Sequence, residues 1–330
     1  MDPALIAERL GLGRPLRPVE TLKVDELQPV WKVETESGHW VVKTIRPAGD
    51  FWYGVAAQAG AFEAAAWRAG IDMPEPYLPE TDAVGLWVQV DELLYAKAAR
   101  LLEGAHAVPP LEGPLAEWAG GTVAALERLG IEADPAVDTY ETLQLQSDWD
   151  LWLGEGRELG VLDAAQARAL KDAAVRIAEI VRPALESKPT DLVMHRDFSY
   201  LNILVTPEGP RLLDFDSAGA KVPWWELVAV AFELAGPDLG VMRPERRTVE
   251  ACLAGYAAAG GRLGAADESA FTGMLLGRLS STAWELWISC GHRGVNAATQ
   301  AKYAPIVRES VVALTELLDA APTWATWLKA

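Results

Sequence analysis

One stretch of the chain, residues 193–219 (VMHRDFSYLNILVTPEGPRLLDFDSAG), constrains the fold more than any other. Two short apolar runs, Leu201–Val205 and Arg211–Phe215, flank a turn at Pro207–Pro210, and this pattern predicts a β-hairpin. A hairpin brings the ends of its two strands together. Polar side chains stand at or just before those ends, and we expect them to share one volume: His195, Arg196, Asp197, Asn202, Asp214 and Asp216.

This set of side chains suits phosphoryl transfer. That reaction needs a carboxylate that orients or deprotonates the attacking hydroxyl, and hard oxygen ligands that hold Mg²⁺ across the nucleotide phosphates. Asp197 suits the first role, and Asn202 and Asp214 suit the second. Asp216 is a further candidate ligand, for a second metal ion or for a water. The alternative is a polar hairpin whose Asp and Asn side chains only cap turns.

The order His-x-Asp-x4-Asn, followed by strand, turn, strand and Asp, resembles the catalytic and metal-binding loops of the protein-kinase-like fold. Within that superfamily the chain resembles the aminoglycoside phosphotransferase and choline kinase family more than the protein kinases. A protein kinase would have Lys in place of Ser199 and Gly in place of Asp216. The run Pro223–Leu227 instead resembles the Gly-Asp-Pro-x-x-Asp-Leu segment of small-molecule kinases, with Glu226 in the place of its second Asp.

The resemblance implies an α+β, two-lobed architecture. Residues 1–90 would form a small antiparallel-sheet lobe that binds the nucleotide, and residues 91–330 a larger, mainly helical lobe that holds the catalytic loop and the substrate. It also implies ATP and Mg²⁺ as cofactors. His195 and Arg196 are expected to brace the catalytic loop rather than to react.

The resemblance also suggests how the nucleotide phosphates are held. Lys43, in the predicted strand His39–Arg46, takes the place of the kinase lysine that pairs with the α and β phosphates. Glu63, the acidic residue of the predicted helix Val55–Ala69, is expected to hold Lys43 in place. The alternatives are a solvated lysine and a solvated glutamate. No glycine lies between Val24 and Trp31, so the phosphate lid stays unassigned.

The adenine site is expected where the chain crosses from the first lobe to the second. Gly85–Val90 is predicted to be a strand, and the crossing is placed directly after it. Main-chain groups there would hydrogen-bond adenine, as the resemblance implies, and the residues concerned are Gln89, Val90, Asp91 and Glu92.

Beyond residue 93 the pattern of apolar residues is mostly that of helices. The predicted helices are Leu94–His106, Leu115–Leu129, Ala164–Leu185, Trp225–Leu234, Arg246–Ala259, Phe271–Ser289 and Tyr303–Leu318.

In the families that the chain resembles, the acceptor binds in the helical part of the large lobe. A cationic acceptor requires acidic residues and aromatic faces. Residues 112–163 hold twelve acidic residues against two arginines, so this region is a candidate. The candidate acceptor residues are Asp148, Trp149, Asp150, Trp152, Ser199, Trp224, Glu226, Glu285 and Trp287. The alternative is that the tryptophans pack the core and the acidic segment is a solvated helix face.

Composition limits the classes of partner. A net charge of −18 argues against nucleic acid, because phosphate backbones select basic surfaces. No apolar run is long enough to cross a membrane and Met1-Asp2-Pro3 begins no signal peptide, so a soluble, cytoplasmic protein is expected. Cys252 and Cys290 form no metal-binding or redox motif.

The function that these observations favour is a small-molecule kinase, a phosphotransferase with an alcohol group as acceptor. The acceptor would be an amino sugar, an antibiotic or an amino alcohol, and antibiotic resistance is one role for such an enzyme. The alternatives are a metabolic kinase for homoserine-type or choline-type acceptors, a kinase for a natural product, and a pseudokinase that binds nucleotide without catalysis.

Overall fold

A computed structural model describes residues 3–23, 28–47, 49–80, 83–137, 142–236 and 243–329. The chain forms two compact units. Unit 1 comprises residues 1–107, 125–138 and 192–220, and unit 2 comprises residues 108–124, 139–191 and 221–330. The segment from Val24 to Trp31, where a phosphate lid would be expected, lies partly outside the described residues.

Unit 1 is built on an antiparallel sheet of six strands in the order β1-β2-β3-β6-β5-β4. A three-stranded sheet, β10-β9-β7, and a two-stranded sheet, β11-β8, complete the strands of the described residues. The strands are β1 Glu20–Lys23, β2 Val30–Thr35, β3 Gly38–Ile45, β4 Ala83–Val84, β5 Trp87–Gln89, β6 Tyr95–Arg100, β7 Ala105–His106, β8 Leu192–Met194, β9 Ile203–Thr206, β10 Gly209–Leu212 and β11 Gly219–Lys221.

The helices confirm most of the predicted ones, with ends shifted by a few residues. Unit 2 holds most of them, and in it α8 and α9 pack along each other and α5 packs against both. The helices are α1 Pro3–Arg9, α2 Phe51–Arg68, α3 Gly113–Glu127, α4 Gln146–Glu158, α5 Ala164–Ser187, α6 Pro223–Ala235, α7 Arg246–Ala258, α8 Thr272–Ser289 and α9 Ala297–Ala325.

The two faces of the six-stranded sheet are covered by different helices. Trp40 and Val42 of β3 belong to a buried cluster with Ile6 and Leu10 of α1. Because side chains alternate along a strand, the residues between them point to the opposite face. That second face carries a cluster in which Trp52 of α2 packs with aromatic residues of β5 and β6. Lys43 therefore lies on the α2 side of the sheet.

The predicted helix Leu94–His106 is wrong. Residues 95–100 instead form β6, which pairs with β3 on one side and with β5 on the other. The alanines of the sequence Tyr-Ala-Lys-Ala-Ala-Arg favour a helix on their own. Pairing on both edges overrides that preference, because β6 supplies the hydrogen bonds that two neighbouring strands need. The sheet consequently continues beyond the lobe boundary expected after residue 90.

Unit 2 contains one helix crossing that requires glycine. A Cβ added at Gly120 of α3 would lie 1.9 Å from the carbonyl oxygen of Cys252 in α7, and one at Gly255 would lie 2.0 Å from that of Glu117. The backbones of α3 and α7 therefore approach too closely for any side chain at these positions. Cys252 is fully buried at this crossing, and burial raises the pKa of its thiol to about 12. It is a packing thiol.

Across the described residues, the structure contains no helix with both the length and the apolar character that a membrane span requires.

Candidate active site

The predicted hairpin is present as β9 and β10, and all of its flanking polar residues belong to unit 1. Its register pairs Thr206 with Gly209 and Ile203 with Leu212. One further hydrogen bond, from the Leu213 N–H to the Asn202 carbonyl at 2.8 Å, extends the pairing past the strands. The two polar ends are thus brought side by side, as the sequence predicted.

His195 is the buried support beneath the loop. Its Nε2 lies 2.9 Å from the carbonyl of Leu213, and its Nδ1 lies 3.3 Å from the amide nitrogen of Asp197. The Asp197 N–H can donate only to an unprotonated nitrogen, so Nε2 carries the proton and donates to Leu213. Burial lowers the pKa of His195 to about 4, so the ring is neutral at pH 7. A neutral imidazole in this position fixes the loop through these two hydrogen bonds.

Asp197 and Asn202 are joined directly. The Asn202 Nδ2 donates to the Asp197 carboxylate at 2.9 Å and to its main-chain carbonyl at 2.8 Å. A single turn of 3₁₀ helix, Tyr200–Asn202, folds the asparagine back onto the aspartate. Asp197 is exposed overall, but desolvation of its carboxylate by the surrounding loops, together with the charge of Asp214, raises its pKa to about 6. The carboxylate is mostly ionised at pH 7 and free to accept a proton.

Asp214 follows β10 and contacts Lys43 of β3. Its Oδ1 lies 2.5 Å from the Lys43 Nζ. Asp214 has a left-handed backbone, with φ of 62°, and Arg196 of the catalytic loop is likewise left-handed at 64°. Burial opposes the charge on Lys43, but the Asp216 and Asp214 carboxylates outweigh it and raise the Lys43 pKa. Lys43 is a cation held between two acids.

Asp216 receives three donors. Its Oδ2 accepts from Lys43 at 3.0 Å and from Gln28 Nε2 at 3.1 Å, and its Oδ1 contacts Lys97 Nζ. Burial would raise the pKa of Asp216, but the positive charges of Lys43 and Lys97 dominate and hold it well below its usual range. Asp216 is therefore an ionised carboxylate enclosed by cations.

The expected pairing of Glu63 with Lys43 is wrong. In the described residues Glu63 pairs with Lys97 of β6, at 2.9 Å, rather than with Lys43. The reason is the strand register, which sets Lys97 directly opposite Lys43 and gives α2 a second lysine to meet. Burial would lower the pKa of Lys97, but the Asp216 and Glu63 carboxylates reverse this and raise it above its usual range.

Helix α2 also contacts the loop that carries Asp214 and Asp216. Phe62 of α2 and Phe215, both fully buried, have ring centroids 6.1 Å apart. Phe215 in turn meets the His195 ring edge-on at 4.6 Å. The two acids flanking Phe215 are thus placed by a buried aromatic contact as well as by the lysines.

The crossing expected at residues 89–92 is wrong, because the chain returns to the sheet at once. Gln89 ends β5, and Val90, Asp91 and Glu92 form the turn to β6, where the N–H groups of Val90 and Asp91 donate to Leu94. The chain leaves the sheet after β6, at residues 101–104. The Leu101 N–H donates to His39 there, and Gly104 packs so tightly that a Cβ would lie 2.5 Å from the Val205 carbonyl.

Ser199 lies in the catalytic loop of unit 1, where its N–H donates to the Asp197 carbonyl. The other acceptor candidates lie in unit 2. Three of them are buried: Trp149, Trp224 and Glu226.

The remaining candidates lie on α4 and α8, which pack against each other. Asp148 and Trp152 are half-buried on α4, and Asp150 is exposed and paired with Lys171 at 2.7 Å. On α8, Glu285 accepts from Ser310 at 2.8 Å. Trp287 stacks on His292 with ring centroids 5.0 Å apart.

Several residues of these sites were missed from the sequence. Lys97 lies in the alanine-rich run that local composition predicts to be a helix, although a lysine that alternates with apolar residues is a signal typical of a strand. Gln28 carries no local signal. In unit 2, Glu155 pairs with His292 at 2.8 Å, across 137 residues of sequence, which no local pattern reveals.

Among the described residues, no three His, Cys, Asp or Glu side chains are grouped so as to hold a metal ion by themselves. Asp214 and Asn202 offer a carboxylate and an amide oxygen, which are hard donors suited to Mg²⁺. In nucleotide-dependent phosphoryl transfer the phosphates supply the remaining ligands. The donor set therefore fits a metal ion that arrives with a nucleotide.

The chain is similar in fold to several solved kinases. A spectinomycin phosphotransferase in complex with ADP and spectinomycin has 12% identity and a TM-score of 0.63, over 94% of this chain and 98% of that one. An amicoumacin kinase in complex with AMP-PNP and Ca²⁺ has 12% identity and a TM-score of 0.65, over 98% and 95%. A microcompartment-associated aminopropanol kinase has 16% identity and a TM-score of 0.64, over 97% and 99%. These likenesses confirm the kinase-like fold.

Comparison with curated proteins returned no match. A family model does match, however, and covers residues 19–269, which is most of the chain and includes the β9–β10 hairpin with its flanking polar residues. The family described by that model is the phosphotransferase enzyme family. This confirms the enzyme class expected from the residues, and the chain belongs to the phosphotransferase enzyme family.

Proposed function

We propose that the protein is an ATP- and Mg²⁺-dependent kinase that transfers the γ-phosphate to a hydroxyl group of a small molecule. The observation that carries this proposal is the convergence in unit 1 of Asp197, Asn202, Asp214 and Lys43. These are a base, two oxygen ligands and a cation, each held by hydrogen bonds or ion pairs. The family membership supports the same chemistry.

Asp197 is the proposed catalytic residue. Its carboxylate accepts the proton of the attacking hydroxyl, or orients that hydroxyl in line with the γ-phosphate. The hydrogen bond from Asn202 fixes the Asp197 carboxylate, and the hydrogen bond to His195 fixes the main-chain N–H of Asp197. Because hydrogen bonds fix both the main chain and the side chain of Asp197, its carboxylate loses little conformational entropy when it reaches the reactive geometry.

Asp214 and Asn202 would hold Mg²⁺ together with the nucleotide phosphates. When bound, the metal supplies positive charge that neutralises the phosphate oxygens. Lys43 supplies a second positive charge, and in this structure its ammonium group pairs with Asp214 and Asp216. A nucleotide phosphate would replace one of these carboxylates as its partner, which fits the expected role of this lysine.

The adenine site is proposed at residues 101–104, where the chain leaves the sheet. The resemblance to kinases implies that main-chain groups at the crossing bind adenine, and residues 101–104 directly follow β6, the last strand of the six-stranded sheet along the chain. Gly104 brings the main chain close to β9, which precedes the metal-binding loop.

An amine-bearing acceptor is proposed, such as an amino sugar, an antibiotic or an amino alcohol. The solved structures of similar fold include kinases for a bulky antibiotic and for a small amino alcohol, and both types of acceptor pair an amine with a hydroxyl. The net charge of −18 favours a cation. In unit 2, Glu285 and Trp287 on α8, with Asp148 and Trp152 on α4, combine acidic and aromatic groups at half-buried positions.

The test is ADP release from Mg-ATP against aminoglycosides, other amino sugars, macrolides and amino alcohols, with Asp197→Asn as the paired variant. Acceptor-dependent release that disappears in the variant is the expected result. Intact Mg-ATP binding with no release on any acceptor would contradict the proposal for these acceptors and favour a non-catalytic, nucleotide-binding role.

A further inference from the structure

Lys97 is a buried charged residue to which the proposed mechanism gives no role. It is 7% exposed on β6, in the middle of the six-stranded sheet. Its Nζ contacts Glu63 at 2.9 Å and also contacts Asp216, and it lies 5.5 Å from the ring centroid of Trp87. Every polar contact that the structure gives this lysine is therefore with an acid of the nucleotide-binding region.

The strand register sets Lys97 against the phosphate-binding lysine. Lys43 and Lys97 are directly opposed across the antiparallel pair β3–β6, so their side chains lie on the same face of the sheet. Like charges in that position repel each other. Asp216 relieves the repulsion by giving one carboxylate oxygen to each lysine.

These contacts form one continuous chain of charges. It runs from Glu63 to Lys97, to Asp216, to Lys43 and finally to Asp214. Removing Lys97 would leave one Asp216 oxygen without its cation and Glu63 without its partner. The Asp216 carboxylate would then be held only through its Oδ2, by Lys43 and Gln28, and its rotation about that oxygen would shift Lys43.

Stability alone does not explain a buried charge at this position. Burying an ion pair costs desolvation energy, and apolar residues of similar volume are often as stable or more so. A methionine on β6 beside Trp87 would satisfy packing. The placement of the charge against Asp216 points to a role in setting geometry.

We propose that Lys97 is a positioning residue for nucleotide binding, which acts through Asp216 to hold Lys43 at the phosphate site. Glu63 anchors Lys97 in this arrangement. Asp216 serves as the carboxylate that aligns the two lysines. This inference rests on the proposed function, because it assigns Lys43 to the nucleotide phosphates.

The test compares Lys97→Met and Lys97→Arg with Lys32→Met. Lys32 lies on β2 of the same sheet and makes a partly exposed contact with Glu20 at 3.9 Å, so its loss is a matched control. We expect Lys97→Met to raise the Kd for Mg-ADP and the KM for ATP about tenfold, and to change kcat less. A tenfold change in affinity is what the loss of one hydrogen bond to a charged group would cause. Lys97→Arg should restore most of the binding, because it keeps the charge.

A double-mutant cycle with Asp216→Asn separates positioning from general damage. If Lys97 acts through Asp216, the Kd of the double variant should be close to that of the worse single variant rather than the product of both effects. If circular dichroism shows that Lys97→Met does not fold, Glu63→Gln takes its place in the cycle, because it removes the charge that anchors Lys97.

Wild-type binding of Mg-ADP distinguishes the possible failures. If the wild type binds Mg-ADP and Lys97→Met binds it as tightly as Lys32→Met does, the positioning role is overturned and the proposed function stands. Additive effects of Lys97→Met and Asp216→Asn would also overturn it. If the wild type binds no Mg-nucleotide, both proposals fail.

Discussion

The charged residues around the hairpin of unit 1 and a surface ion pair of unit 2 are arranged in opposite ways. In unit 1, Lys43, Lys97, Glu63, Asp214 and Asp216 share partners, and their side chains are at most about a third exposed. In unit 2, Arg176 and Asp319 form a separate pair at the surface, and their side chains are 49% and 66% exposed. Shared, desolvated charges interact strongly, whereas isolated pairs in water contribute little. The arrangement of charge, more than its amount, distinguishes the candidate site of unit 1 from this surface pair.

The largest expected effect concerns the base. Asp197→Asn should lower kcat about 10³-fold, because general-base catalysis is lost while the shape of the loop is kept. Steady-state assays on the acceptor found in the panel would measure it. Asp319→Asn makes the same chemical change in the exposed pair of unit 2 and should leave kcat unchanged. Equal effects of the two variants would remove the contrast between the units.

The next effect concerns the shared cation. Lys43→Met should lower kcat/KM for ATP about 10- to 100-fold, as expected for a lost hydrogen bond to a charged group. Lys32→Met, on the neighbouring strand, is again the control. A Lys43→Met enzyme with wild-type kcat/KM for ATP would show that the nucleotide phosphates do not meet this lysine.

Two histidines, one in each unit, test the comparison through the free energy of unfolding. His195→Ala should lower the free energy of unfolding by about 2–3 kcal/mol, because it removes a fully buried ring and leaves the Leu213 carbonyl and the Asp197 N–H without their partner. His292→Ala removes a partly exposed ring that pairs with Glu155, and should cost less than about 1 kcal/mol. Urea unfolding followed by circular dichroism measures both. A larger loss for His292 would reverse the expected order.

The smallest effect is expected at the surface of unit 2. Arg176→Ala breaks the exposed pair with Asp319 and should change the free energy of unfolding by less than about 0.5 kcal/mol. A loss several times larger, in the same urea experiment, would mean that isolated pairs in unit 2 support the fold as strongly as shared ones support unit 1.

The sequence predicted those parts of the site that are local in the chain. Asp197, Asn202 and Asp214 lie within one hairpin, so turn residues and strand ends were enough to bring them together. The partner of Glu63 could not be read in this way. It depends on which β6 residue stands opposite Lys43, and that register is set by pairing between strands far apart in sequence.

The same limit explains the errors at residues 89–106. Alanine-rich local composition indicated a helix, and a strand formed because β3 and β5 both needed a neighbour. Once β6 is recognised, the crossing to the following segment moves to residues 101–104, and Lys97 moves into the site. The strand β6 thus accounts both for the position of Lys97 and for the difference in where the chain leaves the sheet.

The left-handed backbones of Arg196 and Asp214 imply that the candidate active site lowers the stability of the fold. A non-glycine residue in this conformation is strained by roughly 1–2 kcal/mol, with aspartate the more tolerant of the two. Glycine would adopt the same backbone without strain, but it would lose the Asp214 carboxylate or the Arg196 side chain that lies against Gly219. Substitutions that relieve this strain would remove one of these side chains, so a more heat-resistant variant has to gain its stability outside these two loops.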